Sequence, residues 1–185
     1  MSPLFRLHRR CHRLLLAAAL CLGGGHFGIV LLAAAAEPSV APEYPRQGPD
    51  LFDPQANGEI LIDLALKQAR VSERRVFVFV GANWCPWTRR LHRLMQDSPM
   101  FQQTLQRKFV IVYLDANTRH DRRRNAAVLA RLGDPQRRLG IPVFVLLDTE
   151  GRVELTQETQ SFAAPDDATV AARLDRFAAD LADDS

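Results

Sequence analysis

Of the three cysteines in this chain, Cys11, Cys21 and Cys85, the last sits where sulfur can become reactive. It follows the run Val76-Phe77-Val78-Phe79-Val80-Gly81-Ala82-Asn83-Trp84 and opens Cys85-Pro86-Trp87-Thr88. These residues predict a strand, a turn and a helix that begins on the cysteine. A helix N-terminus presents unpaired backbone N–H groups and the positive end of the helix dipole, and both favour thiolate over thiol. Pro86 suits the first helical position because it has no N–H to leave unsatisfied and its φ is preset. Thr88 stands three residues after Cys85, where a capping side chain accepts the backbone N–H, and its hydroxyl is expected to donate to the same sulfur. Arg89 and Arg90 occupy first-turn positions that the dipole disfavours for cations, a placement better explained by an anionic sulfur or substrate than by helix stability.

The flanking indoles of Trp84 and Trp87 are placed to form an apolar docking surface; the plainer alternative is that both are packing residues. His92 lies roughly 10 Å along the helix from Cys85, too far to be its base within one helix. No grouping of Cys, His and Asp has metal-ligand spacing, so neither a metal nor another cofactor is expected.

The surroundings of Cys85 decide what such a thiol meets. The chain carries 24 Lys+Arg against 21 Asp+Glu, a formal charge of +3. The excess is local, because residues 1–36 contain Arg6, Arg9, Arg10 and Arg13 and no acid, leaving 20 bases against 21 acids elsewhere. A remainder with net charge −1 lacks the basic excess of a nucleic-acid binder, so no such partner is expected. Residues 1–36 read as a signal peptide, with a positive start, the apolar run Leu14 to Leu22, and Ala33-Ala34-Ala35-Ala36 as a cleavage site before Glu37. The alternative is an N-terminal anchor, since Leu14 to Ala36 together are long enough to span a bilayer, although Gly23-Gly24-Gly25-His26 interrupts them. The expected location is therefore the bacterial periplasm, with membrane contact only through this segment if it stays uncleaved. Cleavage would leave Cys85 alone, which excludes a disulfide-stapled scaffold.

Pro38, Pro42, Pro45, Pro49 and Pro54 mark residues 37–54 as a linker or a segment lying over the domain surface. Beyond it, Ile60, Leu61, Leu64 and Ala65 suggest one face of a helix capped by Asn57 and running to about Arg70. Val76 to Val80, Phe109 to Leu114 and Val143 to Leu147 are continuous apolar runs, the pattern of strands covered on both faces. Helices are expected from Pro86 to Gln96, from Met100 to Gln106 and from Arg123 to Leu132, the last closed by Gly133-Asp134-Pro135. Thr149-Glu150-Gly151 turns into Val153 to Thr156, and a final helix carries Val170, Leu174, Phe177 and Leu181 on one stripe. The basic run Arg119, His120, Arg122, Arg123 and Arg124 reads more readily as a solvated loop and helix start than as a site for an acidic ligand.

Trp84-Cys85 between strand and helix, with Gly140-Ile141-Pro142 leading into a strand, turn, strand and last helix, resembles the thioredoxin superfamily. The resemblance covers about residues 55 to 183 by element order and is closest to exported members whose motif reads Trp-Cys-x-x-Cys. It implies an α/β, thioredoxin-like fold with a central mixed sheet and helices on both faces. It also implies that Pro142 is the family's cis-proline and that Ile141 offers backbone pairing to an extended substrate. Trp84, Pro86 and Trp87 would complete the substrate-binding surface. The departures are Thr88, where the second cysteine would stand, and Phe79, where thioredoxins carry a buried acid. A lone thiol can form a mixed disulfide but needs an external thiol to resolve it. The expected activity is monothiol exchange with protein or small-molecule thiols and disulfides; the alternative is a redox-inactive binding or chaperone module on the same fold.

Overall fold

The computed structural model describes residues 48–116 and 125–183. The presumed signal, most of the proline-rich segment and the basic run from Arg119 to Arg124 lie outside the described residues.

Four strands form one sheet in the order β2-β1-β3-β4, with β1 (Arg75–Gly81), β2 (Phe109–Asp115), β3 (Val143–Leu147) and β4 (Val153–Glu158). β1 runs parallel to β2 and antiparallel to β3, and β3 is antiparallel to β4, so the sheet is mixed. The continuous apolar runs are explained by what covers them. Alternation sends Phe77, Phe79, Phe144 and Leu146 to one face and Val76, Val78, Val80, Val143, Val145 and Leu147 to the other. The phenylalanine face packs against α2 (Pro86–Asp97), α3 (Pro99–Lys108) and α6 (Asp167–Asp183), through Leu91, Met95, Phe101, Leu174 and Phe177 among others. The valine face packs against α1 (Gly58–Ser72) and α4 (Ala126–Arg131), through Ile62, Ala65, Ala69, Val128 and Leu129. This is the thioredoxin-like α/β architecture that the order of elements implied. Among the described residues no helix is long and apolar enough to cross a membrane.

The expected elements recur with specific corrections. Asn57 does cap α1, accepting from Glu59 N and Ile60 N at 3.0 and 3.3 Å. The buried face of α1 is Gly58, Ile62, Ala65, Leu66 and Ala69, however, and Ile60 and Leu64 are more than half exposed. Small residues decide this rotation: a Cβ at Gly58 would come within 2.5 Å of Leu114 Cδ1 and 2.9 Å of Val128 Cγ1, so only this face approaches the sheet closely. Asn125 has φ 58°, a left-handed conformation outside the right-handed helix, and α4 starts at Ala126, while Arg123, where the expected helix began, lies outside the described residues. Pro135 does not close that helix but opens a further one, α5 (Pro135–Leu139), with its preset φ at the first helical position.

The proline-rich segment also contributes to the core. Phe52 is buried among Phe79 and Tyr113, with ring centroids 5.6 and 6.0 Å away. It fits because β1 ends on glycine: a Cβ at Gly81 would lie 2.7 Å from Phe52 Cζ and 2.8 Å from Thr88 Cγ2.

Candidate functional site

The site is built at the end of β1. After Gly81 the chain turns tightly, Cys85 N donating to Ala82 O at 3.1 Å, and Cys85 becomes the N-cap of α2 with φ −82° and ψ 114°. Its Sγ accepts the Thr88 N–H at 3.5 Å, and the thiol donates to Ile141 O at 3.9 Å. The Ile141–Pro142 bond is cis. Three of the expected site residues, Cys85, Thr88 and Ile141, are thus brought together around one sulfur, on a residue that is 7% exposed.

Thr88 serves the sulfur through its backbone. The expected donation from its hydroxyl is not made: Thr88 is fully buried, and its Oγ1 has no hydrogen-bond partner among the described residues. Packing is the reason, since its methyl is held against Gly81. Pro86 is exposed at the first helical position, and Trp84 and Trp87 are half-buried. Trp87 is anchored, its Nε1–H donating to Thr159 Oγ1 at 3.1 Å while the Arg90 guanidinium lies over its ring at 5.6 Å.

The two arginines have structural occupations that correct the anion-based expectation. Arg89 donates from Nε to Asn83 O at 2.7 Å and from Nη1 and Nη2 to Pro49 O at 3.0 and 3.1 Å. Arg90 donates to Asp167 Oδ1 at 2.7 Å and to the carbonyls of Ala164 and Pro165 at 2.9 and 3.2 Å. A first-turn cation whose donors are filled this way is explained by tying α2 to its neighbours.

Asn83 is a feature the sequence did not single out. Its Oδ1 accepts from Leu51 N and Phe52 N at 2.8 and 2.9 Å, and its Nδ2 donates to Phe52 O at 2.8 Å. A buried amide satisfied in this way fixes the turn before Cys85 to the backbone of Leu51 and Phe52. The signal available was its place inside an otherwise apolar turn.

Phe79, in place of an acid, belongs to an aromatic cluster. His92 stacks on it with 2° between the rings at 6.3 Å, and Tyr113 meets both edge-on at 5.7 and 5.5 Å. Burial, and then the charge of Arg89, lower the pKa of His92; burial raises that of Tyr113, opposed by a hydrogen bond from Gln96. His92 is thus engaged with rings, consistent with its exclusion as a base for Cys85. His120, part of the basic run, lies outside the described residues.

A cysteine four residues beyond the end of β1 thus caps α2 beside a cis-proline loop, the arrangement that the resemblance implied. Residues 62–167 match the thioredoxin-like domain family, and the chain belongs to it. Among solved structures, it is similar to a disulphide isomerase from Xylella fastidiosa Temecula1, at 20% identity and TM-score 0.57, over 70% of this chain and 97% of that one. A thioredoxin from Thermus thermophilus matches at 21% identity and TM-score 0.42 over 62% of this chain and 82% of its own. The DsbH oxidoreductase matches at 19% and 0.38 over 66% and 83%. At these identities the likeness concerns the fold. No curated protein matches the chain.

Proposed function

We propose that this is an exported thioredoxin-like protein that uses Cys85 for thiol–disulfide exchange by mixed-disulfide capture. The observation that carries the reading is the sulfur's position as the cap of α2, accepting the Thr88 N–H beside the Ile141 carbonyl. The Cys85 thiolate attacks one sulfur of a partner disulfide, forming the Cys85–partner bond as the old S–S bond breaks and the second sulfur leaves as thiolate. With Thr88 in place of a second cysteine, release requires an external thiolate, which attacks the mixed disulfide and returns Cys85 as thiolate. Trp84, Pro86, Trp87 and Ile141 form the surface that meets the partner, with Ile141 offering its backbone to an extended chain and Pro142 buried next to it. The N-terminal segment directs the protein to the periplasm, where disulfide-bearing partners are available.

Trapping in the native envelope tests this. Rapid acid quenching and alkylation should recover partners joined to Cys85 by reducible bonds, and a Cys85→Ser chain should recover none. Unchanged partners and phenotype in Cys85→Ser would instead establish a binding or chaperone module.

A further inference from the structure

Thr159 follows β4 directly, where the chain enters the short turn Gln160–Phe162, and it is 2% exposed. A buried threonine hydroxyl has one proton to give and lone pairs to fill. Here both needs are met by the two sides of the thiol site. The Trp87 indole N–H donates to Thr159 Oγ1 at 3.1 Å, and Oγ1 donates to Pro142 O at 2.6 Å. This relay joins the first turn of α2 to the loop that carries Ile141. The sulfur's own link to that loop is long, 3.9 Å to Ile141 O, and too weak to set the spacing. Arg90 over the indole and the apolar cluster beneath it complete the anchoring of Trp87.

We infer that Thr159 is a positioning residue for exchange at Cys85: through Trp87 and Pro142 it fixes the gap into which a partner peptide must carry its disulfide. The inference rests on the reading of Cys85 as an exchanging thiol. Thr159 touches neither the sulfur nor the partner. Its loss should therefore weaken reaction with a peptide, which must fit between the indole and the Ile141 backbone, and leave a small reagent largely unaffected.

The experiment uses the full chain with Thr159→Val, which keeps the shape and loses both hydrogen bonds, and Thr159→Ser, which keeps both. The probes are a short peptide carrying its cysteine as a thiopyridyl disulfide, followed by thiopyridone release, and iodoacetamide, followed by mass mapping at Cys85. Thr159→Val is expected to slow the peptide reaction about tenfold, the equivalent of one or two buried hydrogen bonds. Its effect on alkylation should stay within about twofold, the size of an ordinary surface substitution. Thr159→Ser should restore the peptide rate, and slow hydrogen exchange at the Trp87 indole should be lost in the valine variant and kept in the serine one. A peptide rate unchanged in Thr159→Val overturns the inference, as does an equal slowing of both reagents, which would make Thr159 merely structural. A wild-type chain that iodoacetamide alkylates but the peptide disulfide never modifies overturns the exchange reading itself and this inference with it.

Discussion

Helices α2 and α3 start on the same backbone plan with different atoms. Cys85 (φ −82°, ψ 114°) and Ser98 (φ −87°, ψ 110°) each precede a proline at the first helical position, and each offers its side chain to the N–H three residues on. At α3 the acceptor is a hydroxyl oxygen 3.0 Å from Phe101 N; at α2 it is a sulfur 3.5 Å from Thr88 N. Serine belongs to the preferred capping set, and sulfur is a weak acceptor. Ser98 also donates to Asp175, whereas the Cys85 thiol meets a backbone carbonyl at 3.9 Å. Helix stability accounts for the oxygen at α3. It does not account for the sulfur at α2, and that contrast supports a chemical role.

The contrast is broken most directly by Cys85→Ser. All alkylation and disulfide exchange at position 85 should vanish, while urea unfolding should show stability unchanged or raised by up to about 1 kcal/mol, the scale of a better cap. A loss beyond about 2 kcal/mol would show that the sulfur is there for packing. Thr88→Cys is expected to supply an internal thiol, so that mixed disulfides at Cys85 decay about a hundredfold faster and an intramolecular disulfide accumulates, measured by quenched mass spectrometry. Ser98→Ala should cost about 1–2 kcal/mol in urea unfolding and leave Cys85 alkylation unchanged, separating the structural cap from the reactive one.

The smallest effect concerns pH. His92 on α2 has its pKa lowered by burial, then by Arg89, from the usual 6.5. Above that value neither the folded nor the unfolded state binds the proton. As the pH falls below it, the unfolded state protonates first, so stability declines. His92→Phe should flatten that decline between about pH 7 and pH 5, a modest change because the ring is only half-buried, read from urea midpoints.

What the sequence disclosed was local. The caps Asn57 and Cys85, the proline after Cys85, and the stripe Val170, Leu174, Phe177 and Leu181 are fixed by neighbours within a turn or two, and the structure keeps them. What it hid depends on residues far along the chain. Asn83 is satisfied by residues up to 32 positions away, and Trp87 by Thr159 at 72 positions. The face of α1 was ambiguous because Ile60 and Leu64 compete with Ile62 and Leu66. The tie is broken by Gly58, Ala65 and Ala69, whose small size matters only once β2 and α4 are in place. The Thr88 hydroxyl was misread because spacing identifies who is near a sulfur, not which rotamer packing leaves available.

Phe52 sets a limit on trimming the protein. The family segment, residues 62–167, begins after it and ends as α6 begins, so it omits the ring seated under Gly81 as well as Leu174, Phe177 and Leu181. A chain cut to that segment would open voids on the phenylalanine face and leave the turn before Cys85 without the backbone groups that Asn83 binds. The family match is therefore narrower than the fold around it, and the unit to express runs from the Pro49 carbonyl held by Arg89 to the last turn of α6.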